Sequence, residues 1–202
     1  MLTPLPMKKI LSLLLMATLG LFATSCCKKD SCNQACLTPK LDVREFFNGP
    51  LEILGVELTW CGHERAHFQG TATCSWIGNE GTVSQHLTAS DGQEINESWT
   101  MTLIDDKHFT GKGDTIIGEA KGFQTGNMAY ARYEMKLTDK EGKTMTFDMH
   151  EHDYLVSNDT VICTIKLKKW GLPMGHMIFV VRKTMASTGM ANSDMNPRMS
   201  PF

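Results

Sequence analysis

Residues 64–76, Glu-Arg-Ala-His-Phe-Gln-Gly-Thr-Ala-Thr-Cys-Ser-Trp, alternate without a break. Ala66, Phe68, Gly70, Ala72, Cys74 and Trp76 fall on one face, and His67, Gln69, Thr71, Thr73 and Ser75 on the other. A period of two sustained this long marks a strand with one buried face, as in antiparallel sheets. Working outward, Ile95, Glu97, Trp99, Met101 and Leu103 share a face in the same way. So do Ala129, Ala131, Tyr133, Met135 and Leu137, and then Met145, Phe147 and Met149. Turn signals divide these runs at Asn79-Glu80-Gly81, Asp91-Gly92, Asp105-Asp106, Lys140-Glu141-Gly142 and Ser157-Asn158-Asp159. The pattern predicts an all-β chain of about eight to ten strands, with a short helix at Asp42–Phe47. Successive hairpins of this number close most economically into an antiparallel up-and-down barrel, which leaves no exposed edge. A single large sandwich is the alternative.

The ends of the chain read differently. Lys8 and Lys9 precede an apolar run from Ile10 to Ala23, which is shorter than the roughly 20 residues a membrane-spanning helix needs. This is the order of a secretory signal. The run closes in Leu21-Phe22-Ala23-Thr24-Ser25-Cys26, with small residues ahead of a cysteine. That segment resembles the lipobox of bacterial lipoproteins, in which the cysteine is acylated and the bond before it cut. The resemblance implies a signal peptide at 1–25, lipidation at Cys26 and a protein held by acyl chains in the cell envelope, facing the periplasm. An ordinary signal peptide or membrane helix is the competing reading. Residues 26–40 read as a polar tether, 41–184 as the β-domain and 185–202 as a disordered tail.

Loss of residues 1–25 removes two lysines and no acid, so the net charge moves from −2 to −4. A mildly acidic domain without a basic cluster argues against nucleic acid as a partner. Export would permit disulfides among Cys27, Cys32, Cys36, Cys61, Cys74 and Cys163, though spacing leaves the pairing open.

The segment Phe109–Asn127 carries glycines at 111, 113, 118, 122 and 126. No Gly-Lys-Ser/Thr closes it, so it is not a phosphate loop. Glycine within strands marks bulges, bends or close backbone approach. With Phe46-Phe47-Asn48-Gly49-Pro50-Leu51, Gly111-x-Gly113-Asp114, Gly118-x-Ala120-x-Gly122 and Gly126-Asn127-x-Ala129, the chain resembles a family of bacterial lipoproteins classified only as a domain of unknown function. The resemblance implies an envelope lipoprotein with a lipocalin-like barrel, and no established activity.

Several groups are candidates for chemistry. Trp60, Phe68, Trp76, Trp99, Tyr133 and Phe147 could line a ligand cavity, although a filled core would use the same residues. Glu97 shares a face with Ile95 and Trp99, where a carboxylate is costly unless paired; Arg132 or a ligand could supply the partner. Asp148, His150 and His152 alternate, so a strand would put them on one face as a weak metal constellation. Met145, Phe147 and Met149 look like the core side, however, and the flanking Glu151 and Asp153 suggest a solvated hairpin end. Cys61, His63 and His67 could form a thiol–imidazole pair, but surface turn residues are the simpler account. No catalytic signature is present, so no enzyme, cofactor or metal is expected. Two classes remain: a tethered barrel that binds a lipid or other apolar ligand, and an interaction lipoprotein whose packed barrel meets another, unidentified envelope component.

Overall fold

In a computed structural model of the chain, which describes residues 34–139 and 141–184, every alternating run is a strand. The strands are β1 (Gly49–Thr59), β2 (Glu64–Ile77), β3 (Glu80–Ala89), β4 (Glu94–Leu103) and β5 (His108–Gly113). They continue with β6 (Ile116–Thr125), β7 (Met128–Thr138), β8 (Thr144–Ser157), β9 (Thr160–Lys169) and β10 (Leu172–Lys183). Each pairs antiparallel with its sequence neighbour. β1 closes the ring on β10, in a register from Leu51 opposite Lys183 to Thr59 opposite Gly175. Closure removes the unpaired edge that an open sheet would expose.

Up-and-down order sends successive turns to opposite ends of the barrel. The β2–β3, β4–β5, β6–β7 and β8–β9 turns gather at the end where β1 begins and β10 finishes. One short helix, α1 (Val43–Phe46), lies at this end. Asp42 caps it, its carboxylate accepting from the backbone N–H of Arg44 at 2.9 Å and of Glu45 at 3.1 Å. Val43 and Phe46 turn inward and are buried, so the helix plugs the barrel with its apolar side. Backbone bonds seat it: Leu41 N–H donates to the Gly126 carbonyl, and Val43 N–H to Gln124 Oε1. The Trp76 indole N–H donates to the Phe47 carbonyl at 2.6 Å.

Packed structure begins ahead of Leu41, where the sequence places the domain boundary. Gln34 donates from Nε2 to Asn127 Oδ1 at 2.8 Å, so the tether's last residues lie on the β6–β7 turn. Cys26, Cys27, Cys32, the signal segment and the C-terminal tail fall outside the described residues. The glycine-rich segment forms β5, β6 and their turns. Gly118, at φ +74°, sits where the β6–β7 register shifts between Ile117 and Lys121.

Candidate functional site

Inward positions on all ten strands are mostly apolar, but they do not fill the barrel. A cavity of about 240 Å³ remains. It runs from Val43 and Phe47 beneath α1 to Ile95, Thr115 and Leu137 near the opposite rim. Its volume lies just under the roughly 300–1,000 Å³ of ordinary small-molecule sites, which suits a slender occupant. Phe68, Leu87, Trp99 and Met149 supply apolar wall.

Three carboxyl groups face this lumen: Glu97 from β4, and Glu151 and Asp153 from β8. No lysine, arginine or histidine lines it among the described residues. On the β8–β9 wall the Tyr133 hydroxyl donates to Glu151 Oε2 at 2.7 Å, and the Cys163 thiol reaches Glu151 Oε1 at 3.5 Å. Glu151, Asp153 and Cys163 each bring one ligand atom within 4.8 Å of the other two. Burial pushes the carboxyls of Glu151 and Asp153 above the usual range, and for Asp153 the neighbouring Glu151 charge adds to it. Burial likewise raises the Tyr133 hydroxyl and the Cys163 thiol, and it lifts Cys74, another lumen thiol, to about 11. Glu97 is raised by burial and partly compensated by the Thr115 hydroxyl.

Of the residues read from sequence as cavity-lining, Phe68, Glu97, Trp99 and Tyr133 do line it. Trp60 does not: it follows the last residue of β1, leaves the strand's alternation in the turn, and is 74% exposed. Trp76 packs beside α1, and Phe147 is buried against the β8–β9 wall below the cavity surface. Arg132 is not the partner of Glu97, because it lies on the outer face. There it holds Asp148 through two bonds of 3.0 Å, and this pairing depresses the Asp148 carboxyl. Asp148, His150 and His152 do share the outer face of β8, but Asp148 is taken by Arg132 and His150. The Nδ1 of His150 meets the Tyr130 hydroxyl at 3.0 Å.

Glu151 and Asp153 were expected at a solvated hairpin end; instead the strand runs on to Ser157 and carries both into the lumen. The missed signal is parity, since 151 and 153 continue the face of Met145, Phe147 and Met149. Cys61 lies exposed in the β1–β2 turn with Thr59 Oγ1 at 3.2 Å, and that bond lowers its thiol; among the described residues no imidazole bonds to it. Cys61, Cys74 and Cys163 are free thiols.

A family model described as "protein of unknown function (DUF3833)" matches residues 20–183. The chain belongs to this family. No curated protein matches this chain. Among solved structures, it is similar to the S-type phycobiliprotein lyase CPES from Guillardia theta. The TM-score is 0.54 at 10% identity, covering 73% of this chain and 95% of the lyase. It also resembles Rv2717c from M. tuberculosis, with a TM-score of 0.48 at 13% identity over 74% of this chain and 99% of that one. At such identities the likeness concerns the fold alone.

The lumen acids give the DUF3833 barrel a pH dependence of definite sign. A carboxyl whose native pKa lies above its unfolded value, near 4, contributes stability that is full below that value. The contribution is lost as pH rises through the native pKa. The empty protein should therefore melt higher at pH 5 than at pH 8. Asp105, Asp148 and Asp159, whose carboxyls are held low by hydrogen bonds, oppose this only below about pH 4, whereas His152, held low by burial on the outer face, opposes it within the window and is common to wild type and the variant below. Thermal melts of wild type and of the E151Q/D153N variant across pH 5–8 check it. The variant should give the flatter profile, and equal slopes would remove these two acids as the cause.

Proposed function

We propose that this protein is an envelope lipoprotein, tethered through acylated Cys26, whose barrel holds a slender apolar ligand. The carrying observation is the lumen itself: a space of about 240 Å³ with largely apolar walls and a few convergent polar groups. A packed barrel acting only through its outer surface has no use for such a space. The family match begins at residue 20, ahead of Cys26, so it takes in the lipobox segment and supports the anchored reading. The first structural neighbour, by its name a phycobiliprotein lyase, supports a barrel that handles small molecules only by analogy of fold. We read the chain as a binding module rather than an enzyme, since Cys61 has a hydroxyl and not a base beside it.

Native mass spectrometry of the protein extracted from its own membrane tests the reading. Wild type should carry a retained small molecule. Ala131→Phe adds a ring on the cavity wall and should lose that adduct while keeping a cooperative melt. Wild type that never carries an adduct, or an Ala131→Phe variant that carries it undiminished, would sink the proposal.

A further inference from the structure

We propose that the lumen takes an amphiphile with a cationic amine head, its ammonium group seated among Glu151, Asp153 and Cys163 and its apolar body lying along the cavity. This rests on the lumen being a ligand site, and it names the class of ligand. Asp153 carries the argument. It is half-buried, it faces the cavity, and the donor beside it is the Cys163 thiol, which it shares with Glu151 Oε1 at 3.5 Å. A single thiol proton serves one carboxyl at a time. Tyr133 is committed to Glu151 as well. The cluster therefore has acceptors in excess and, among the described lining residues, no base to balance them.

An ammonium supplies what is missing: one positive charge and three N–H donors that can be shared between two carboxylates. Desolvated carboxylates without a partner are expensive, and a cation between them restores their ionised form. The rest of the ligand must be apolar, because the cavity beyond the cluster is walled by side chains such as Phe68, Leu87 and Trp99. A bare divalent ion would satisfy the carboxylates but leave that length unfilled.

The head goes in first. Asp153 pairs with Ala129, just past the β6–β7 turn at the helix-plugged end, whereas Glu97 lies closer to the start of β4 at the other rim.

The test uses the full chain in nanodiscs of zwitterionic lipid, titrated with decylamine, decanol and decanoate and read by native mass spectrometry. Decylamine should bind about ten-fold more tightly than decanol, with decanoate weakest. In the E151Q/D153N variant the amine should fall to the level of the alcohol, and an unchanged cooperative melt reports an intact barrel. Decanol binding without amine preference in wild type overturns this proposal and leaves the lumen reading standing. So does an amine preference that survives in the variant. Zinc alone binding one to one and excluding the amine would reassign the cluster to a metal. Failure of all three probes to bind brings down the lumen reading together with this one.

Discussion

Gly70→Val should unfold the barrel under conditions where wild type is fully native. Gly70 lies in the middle of β2, paired with Leu87 of β3 and with Ile53 of β1. A Cβ built there runs into the His86 carbonyl oxygen and the Leu87 Cα. Those atoms are backbone of a hydrogen-bonded neighbour, so they cannot swing aside as a side-chain tip could. Ordinary overpacking costs about 1–3 kcal/mol. A clash with paired backbone inside a closed barrel should exceed that, at roughly 3–5 kcal/mol, a large part of the 5–15 kcal/mol that holds a typical domain.

Gly111→Ala is the contrast. Its Cβ would meet the Ala120 Cβ at 3.4 Å and nothing closer, so it should be neutral or stabilising by about 0.4–1 kcal/mol. Urea titrations of the two variants against wild type separate the cases. Equal midpoints for Gly70→Val and wild type would show that β2 and β3 can part to make room.

The same pair of glycines marks the boundary of what the sequence discloses. Alternation in residues 64–76 told which side of β2 faces inward, because the period of two is a local property of extended backbone. The strand count, the closed up-and-down order and the helix before Phe47 follow from such local signals and from turn residues. How closely β2 approaches β3 at Gly70 depends on strands far apart in the chain, and no local pattern reports it. Glu97 was legible as an inward carboxylate by parity alone. Its partner was not, since Thr115 and Arg132 are both distant in sequence and only the register separates lumen from surface. Glu151 and Asp153 were obscured for a different reason. Two acids beside two histidines look like solvent-facing residues, so composition overrode a parity that Leu155, buried two positions on, would have extended. A barrel with an unfilled lumen is where that conflict arises: a strand face can be internal without being apolar.

Cys26→Ser, exported behind an ordinary cleaved secretory signal in place of residues 1–25, should release the protein from the membrane altogether. Each acyl methylene buried in a bilayer contributes about 0.8 kcal/mol, and stable anchoring takes at least two chains. A serine at this position accepts no thioether-linked lipid, so no partial anchor is left. Fractionated cells should show wild type in the membrane pellet and the variant in the soluble fraction. Intact mass should fall by the acyl groups, while the thermal melt stays the same because Gln34 and all later contacts are untouched. A variant that remains in the pellet at unchanged mass would overturn the anchor.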